Sequence, residues 1–481
     1  MLLKKEDRLM ILAPHPDDEV LGCGGIILEA VKKALPLQVV FFTYGDSNEW
    51  SFVRYRKRPV LLPRQIRRMG LIRYEEAIRA AKILGLSNDQ LIFLGYPDFG
   101  TLNIWFFHWK QRPALKSILT RAQAVPYKNA FRPGAPYKGE EILKDLQTII
   151  IKFQPTKIFL SHRHDFNTDH QALYLFTRIV LWSLEKELKP EIYPYLIHLD
   201  KWPYPRAYFP DKALDAPKTL KEKIKWKTVP LSEDAIETKF KALEAHQTQL
   251  RSNKKYLLSF IRSNELFGDY EIIKAKDIVS ETQIEEGAIY SIISFDELSE
   301  DEKSVFVGIR AHSISLNDEN LVLKVCISGF ASERVRRLDK NVKREIRKIG
   351  DTILPENIEK IAQGTIEGFL PTIKEGIVPI SIASSLPKNV GVSFYIFGYR
   401  YDRPFEDMPK LWIRVGRKGY NIFDLEKQLS EPIEVIREES ELTVIVPLKL
   451  LKNPDKILIN VRNNVEHHTL DWIAWRIIEL K

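Results

Sequence analysis

The chain has 481 residues, 44% of them apolar and 28% charged, with a net charge of +9. That length exceeds one comfortable core and predicts at least two domains. Nothing approaches the roughly 20 uninterrupted apolar residues of a membrane span, and two distant cysteines, Cys23 and Cys326, form neither a disulfide framework nor a CxxC knuckle.

The opening MLLKKEDR runs directly into an apolar strand, leaving no room for a signal peptide, so a cytoplasmic location is expected. From residue 8 to about 200, β-rich runs alternate with helical patterns. Strands are predicted at LMILAP, VVFFTYG (39–45), LIFLGY (91–96), KIFLSH (157–162) and IYPYLIHL (192–199). Between them ILEAVKKAL, IRYEEAIRAAKILG and ILKDLQTIIIKF space their apolar residues three and four apart, as helices covering a sheet do. The fold class expected is α/β, a Rossmann-like, mostly parallel sheet whose ligands bind beyond the carboxyl ends of the strands.

Two stretches of this region stand out. RYRKRPVLLPRQIRR (54–68) holds seven basic residues and no acid. It reads either as a solvated loop and helix face or as an electropositive rim for an anionic substrate group. The segment 101–140 is long for a loop and aromatic at its start. It reads as a lid offering Trp105 and Trp109 to sugar or lipid, or as a dimer contact or satellite core.

Helices are predicted over 232–251 and 253–264, and the acidic stretch that follows reads as a linker. Then the period changes to two, in VFVGIRAHS, LVLKVCISG, VGVSFYIFGY, LWIRVG, LTVIVPL and ILINVRNN, which predicts an antiparallel β-sandwich. Inside it, 334–348 reads as a solvated basic helix. The expected layout is a first domain at 1–270, a linker at 271–303 and a sandwich at 304–481, with which a homo-oligomer is compatible.

The stretch APHPDDEVLGCGG (13–25) crowds a histidine, two aspartates and a glutamate at the end of the first strand. Carboxylates packed this way repel one another unless something positive sits among them. The fourth strand ends in SHRHDFNTDHQAL, which supplies His162, His164, Asp165, Asp169 and His170. His15 and Asp18, with His170 on the first turn of the next helix, would make a His₂Asp site, the donor set of a catalytic zinc that keeps one position open. Asp17, beside a ligand but pointing elsewhere, is then placed to take a proton from a water activated by the metal, giving hydrolysis of an amide or ester.

PHPDDE followed by GCGG, with a DxxxDH element after a later strand, resembles the metal-dependent glycan de-N-acetylase family of the PIG-L/LmbE type, over about residues 8–270. The resemblance implies a zinc-dependent N-deacetylase acting on N-acetylglucosamine-type sugars, with metal ligands His15, Asp18 and His170 and general base Asp17. It further implies that Arg73, with Glu76, and Asp98 and His246 lie near the substrate. The sequence departs from the family at Asn167, where many members carry an oxyanion-stabilising histidine. An asparagine amide donates a hydrogen bond without a charge, so that role passes to Asn167, the metal, His162 or His164.

The final LDWIAWRIIEL resembles the last strand of family 9 carbohydrate-binding modules, which implies a glycan-related sandwich. The expected partner is an N-acetylated amino-sugar or glycoconjugate, with an anionic group favoured by the positive balance and no nucleic acid. Two alternatives accompany this reading: a non-catalytic glycan-binding protein, and an amidase acting on another acylated amino-sugar, such as an antibiotic or thiol precursor.

Overall fold

A computed structural model of the chain describes residues 3–47, 62–274, 282–286, 290–291, 309–316, 319–327, 390–416, 419–437, 441–465 and 468–480. It divides into two units, 1–270 and 271–481. Among the described residues no helix is long and apolar enough to cross a membrane.

The first unit is built on a five-stranded parallel sheet. Its strands are β1 (Leu9–Ala13), β2 (Leu37–Thr43), β3 (Leu91–Tyr96), β4 (Lys157–Ser161) and β5 (Glu191–Tyr195). The order is β3-β2-β1-β4-β5, every neighbouring pair parallel. β1 is buried along its whole length, which is why LMILA is a continuous apolar run with no alternation. The crossovers carry α1 (Asp18–Lys32), α2 (Pro63–Ile83), α3 (Thr101–Phe107), α4 (Gly139–Phe153) and α5 (Thr168–Ser183). The chain lays down β1, β2 and β3 outward, then returns to place β4 on the other side of β1, with Leu9 opposite Lys157. The seam between β1 and β4 is thus the switch point of the sheet, where such folds open a crevice.

The glycines of LGCGG are packing positions on α1. A Cβ on Gly22 would lie 2.5 Å from the Tyr195 ring and one on Gly25 2.2 Å from Leu231. The unit closes with β6 (Lys227–Pro230), α6 (Glu233–Glu244), α7 (Gln247–Leu258) and β7 (Asn264–Phe267), which pairs antiparallel with β6. Helical periodicity extended the second helix to 264, but it stops at Leu258, and β7 begins where the prediction still had helix.

Across 101–140 most of the large apolar side chains serve packing, Ile118 and Phe131 being exposed. Trp105 and Trp109 are fully buried, their rings 5.1 and 5.9 Å from Phe176 of α5. The Trp109 indole N–H donates to the Trp105 carbonyl at 2.7 Å, so the rings form a satellite core and offer no face to a ligand. Of the basic stretch, 54–61 lies outside the described residues; Arg64, Arg67 and Arg68 are on the first turns of α2, the first and last exposed. The basic cluster 334–348 also lies outside the described residues.

The second unit holds two sheets whose strands pair antiparallel except at Ile273–Lys274, which runs parallel to its neighbour. In chain order its strands are β8 (Ile273–Lys274), β9 (Thr282–Glu286), β10 (Tyr290–Ser291), β11 (Ile309–Leu316), β12 (Asn320–Ile327), β13 (Val390–Tyr399), β14 (Lys410–Gly416) and β15 (Tyr420–Asp424). β16 (Lys427–Leu429), β17 (Glu434–Arg437), β18 (Glu441–Pro447), β19 (Lys456–Val465) and β20 (His468–Glu479) complete them. One sheet runs β10-β20-β19-β13-β14-β15-β16, with β8 beside β20, and the other β17-β18-β12-β11-β9. Alternate residues of both, including Leu323, Val325, Phe394, Ile413, Val444 and Ile459, meet in one apolar core, the arrangement of a sandwich. The acidic stretch read as a linker contributes β8, β9 and β10 to these sheets.

Candidate metal centre

At the seam, His15 leaves β1 and Asp18 starts α1, while His170 sits on the first turn of α5, two residues into the helix that follows β4. The Asp18 carboxylate turns back, its Oδ2 accepting the His15 backbone N–H at 3.0 Å. That oxygen lies 3.1 Å from His15 Nδ1 and 3.1 Å from His170 Nε2, and the two nitrogens are 3.3 Å apart. All three residues are buried.

This near-equilateral triangle has the dimensions of a coordination face. Donors held 2.0–2.1 Å from a tetrahedral ion are about 3.3 Å from one another. The outer ring nitrogens agree, because each faces a carboxylate. His15 Nε2 lies 3.1 Å from Asp98 and 3.3 Å from Asp169, and His170 Nδ1 is 3.1 Å from Asp165. Carboxylates outside the triangle favour ring protons on that side, so that Nδ1 of His15 and Nε2 of His170, which face one point, would be the nitrogens offered to an ion placed there. The donors fit a small divalent cation; zinc suits a His₂Asp set.

The charges are mutually dependent. Burial pushes Asp18 up, but His170 and His15 hold its carboxyl well below the usual range. Burial pushes His170 down, yet Asp165 and Asp18 carry it to about 9. His15 is likewise lowered by burial and brought well above the ordinary imidazole range by Asp169, Asp18 and Asp98. In Asp98 burial acts upward and is outweighed by His15, leaving the group low.

Asp17 occupies a strained position, with φ at 120°. Its backbone N–H donates to Glu19 Oε2 at 2.8 Å, and Glu19 Oε1 lies 3.1 Å from His246 Nε2. Arg73 braces the other side, donating to the Pro16 carbonyl at 2.6 Å, the Gly45 carbonyl at 2.7 Å and Asp17 Oδ1 at 3.3 Å. Gly45 has φ of 60°, and a Cβ there would be 2.0 Å from the Arg73 guanidinium, so only glycine permits this contact. Burial raises Asp17 to about 7, with Arg73 opposing and Asp18 adding to the rise. A carboxyl poised there can exchange a proton near neutral pH.

The other residues singled out by sequence spread around this centre. Asp98 accepts the Ser47 N–H at 2.8 Å besides facing His15. Glu76 is tied to the first turns of α7, accepting from Thr248 N–H at 2.9 Å and its hydroxyl at 2.6 Å. His246 caps that helix in the break after α6 and is linked by hydrogen bonds to the Asp17 backbone through Glu19. Asn167 caps α5, its Oδ1 accepting the Asp169 N–H at 2.8 Å. His164 belongs to a different cluster: its ring lies parallel to Tyr270, bonded to that hydroxyl, while His162 packs on Trp226.

Four residues of the surroundings carried no assigned role in the sequence reading. Asp169 is held by the Phe99 N–H at 2.6 Å, the Thr101 N–H at 3.2 Å and the Thr101 hydroxyl. Asp165 and Glu19 each bear on a functional group from inside the same motifs. His198, from the loop after β5, meets the His170 ring edge to face with the ring centroids 4.8 Å apart, and burial lowers it to about 4. Its only sequence signal was a polar residue at a strand end.

Residues 10–181 match the PIG-L family, described as GlcNAc-PI de-N-acetylase. A 96-residue stretch is 32% identical to the probable N-acetyl-alpha-D-glucosaminyl L-malate deacetylase 2 of Bacillus anthracis, covering 20% of this chain and 38% of that protein. The chain thus spans well under half the length of that curated relative. Among solved structures, the N,N'-diacetylchitobiose deacetylase of Pyrococcus horikoshii aligns over 52% of this chain and 75% of its own, with 18% identity and a TM-score of 0.31. The A40926 pseudoaglycone deacetylase Dbv21 aligns over 55% and 96%, with 16% identity and a TM-score of 0.34. The stretch that matches the PIG-L family, residues 10–181, takes in the ends of β1 and β4 and with them His15, Asp17, Asp18 and His170.

Proposed function

We propose that this chain is a zinc-dependent hydrolase that removes the N-acetyl group from an N-acetylglucosamine-type sugar or glycoconjugate. The observation carrying the reading is the triangle of His15 Nδ1, Asp18 Oδ2 and His170 Nε2, with edges of 3.1, 3.1 and 3.3 Å, directly beside a buried carboxyl at about 7. When bound, a divalent ion in the triangle acidifies water and polarises the acyl oxygen.

The chain's own groups do the rest. Asp17 takes the proton of the attacking water, and its environment suits both steps of the cycle: the burial that raises it lets it hold the proton, and Arg73 keeps the ionised form accessible. Protonated Asp17 then delivers that proton to the departing amine. Asn167, its Oδ1 engaged as a cap, presents the amide nitrogen as a neutral donor to the oxyanion; His164, bonded to Tyr270, takes no step here. Asp98 and Arg73 border the sugar side. A cytoplasmic location is part of the proposal, in keeping with free cysteines at Cys23 and Cys326.

The test is acetate release from free, oligomeric, nucleotide-linked and lipid-linked N-acetylglucosamine compounds, with and without a chelator. Chelator-sensitive release from one class supports the proposal and names the substrate. Silence across the panel from metal-loaded protein would overturn it in favour of another acylated amine or a binding role.

A further inference from the structure

We infer that Asp165 is the positioning residue of the metal centre: its carboxylate holds the His170 ring with Nε2 bare and fastens the loop after β5 against that ring. The inference rests on the functional reading only for the identity of the ligands, and it concerns ion binding independently of any reaction.

Asp165 is fully buried, and its carboxylate is engaged from three directions. Oδ1 accepts the Asn167 N–H at 2.9 Å, within the turn that starts α5. Oδ2 accepts the Ile197 N–H at 3.0 Å and the His198 N–H at 2.9 Å, both from the loop after β5. The same oxygen is 3.1 Å from His170 Nδ1. Its main chain is fixed as well, the carbonyl accepting the Gln171 amide at 2.9 Å. A carboxylate held this way has no freedom to follow the ring, so the ring follows it.

The loop it captures completes the clamp. His198 meets the His170 ring edge to face and stacks on Tyr256 at 6.1 Å, and the Tyr256 hydroxyl donates to the Ile197 carbonyl at 2.6 Å. The two metal histidines differ in their support. The outer nitrogen of His15 faces two carboxylates, Asp98 and Asp169. That of His170 faces Asp165 alone among the described residues. Loss of one carboxylate is therefore cushioned at His15 and not at His170.

The test uses the full chain stripped of metal, with zinc affinity measured by competition against a chromophoric chelator. Asp165→Asn is expected to weaken zinc binding about 10- to 100-fold, the range found when such outer partners are removed, and Asp98→Asn to weaken it less. In a His170→Gln background Asp165→Asn should add less than about twofold, because its route to the ion is already gone. A purely structural role would leave the full loss in that background. Equal affinity in Asp165→Asn and the unaltered chain would also overturn the inference. Should Asp165→Asn not fold, ¹⁵N-histidine spectra of the unaltered zinc-loaded chain decide the matter: a protonated Nδ1 and coordinated Nε2 at His170 support it, and coordination through Nδ1 refutes it. Failure to release acetate would leave all of these readouts intact.

Discussion

Asp17 shows how much of a residue's role is set by its immediate neighbours. Its backbone lies in a region that L residues avoid, at φ 120°, and is held there by Glu19, itself gripped by His246. Arg73 fixes the side chain from the far side. Asp17→Asn keeps the shape and removes the proton acceptor, so turnover should fall about 10²- to 10⁴-fold while bound metal, measured by elemental analysis, stays unchanged. Near-normal turnover would place the base elsewhere. At this scale the sequence was informative where chemistry is packed into consecutive positions: His15, Asp17 and Asp18 share one turn, and His170 lies in a run of histidines and aspartates. It was silent on supporting contacts. That His198 packs on His170, with its N–H held by Asp165, depends on β4 and β5 lying side by side, which no local pattern encodes.

At the level of elements, α1 is fastened by a buried ion pair between helix and strand. Lys239 of α6 donates to Glu265 of β7 at 2.6 Å and to the Leu21 carbonyl at 3.0 Å. Glu265 in turn accepts from the Gly25 N–H at 2.7 Å and the Ile26 N–H at 3.0 Å. Both charged side chains are 1% exposed. Glu265→Ala would leave Lys239 without its counter-charge, held only by the Leu21 carbonyl, beside two deprived backbone donors, and is expected to cost roughly 3–5 kcal/mol in denaturant unfolding. A loss below about 1 kcal/mol, the value of an exposed pair, would mean water reaches the site. The glycines were legible as a motif but not as a docking surface, since their partners Tyr195, Leu231 and Lys239 are remote in sequence. The break after α6 was missed for a related reason: apolar spacing continues through His246, and only that residue's contact with Glu19 marks where the helix yields.

For the whole molecule, the alternation of runs with periods of 2 and 3.6 was enough to predict a parallel α/β sheet followed by an antiparallel sandwich. Strand order is a different kind of information, because it depends on which long connection returns to which edge. Burial of charge also registers on global stability. Asp46, beyond β2, is pushed up to about 7 by burial and by the charge of Asp98, against the opposing hydrogen bonds of Tyr127 and Ser47. The fold therefore binds a proton that an unfolded aspartate, with a pKa of about 3.9, releases. Its contribution is full below about pH 4 and is lost as pH rises to about 7. Asp46→Asn should accordingly flatten the decline of the urea midpoint between pH 5 and 8; an unchanged slope would assign that decline to other groups.

The seam between β1 and β4 has one more consequence. His15 and His170 stand 155 positions apart, so an ion gripping both closes a loop that includes most of the parallel sheet. It acts as a removable cross-link, one that an unfolded chain has no geometry to form. Thermal midpoints of the full chain should climb with the logarithm of free zinc, by the equivalent of about 2.7 kcal/mol at a hundredfold excess over the dissociation constant, and collapse on chelation. A midpoint indifferent to zinc would mean that the ion does not bridge these two strand ends, whereas a responsive one would make metal supply a determinant of how long the protein survives as well as of what it does.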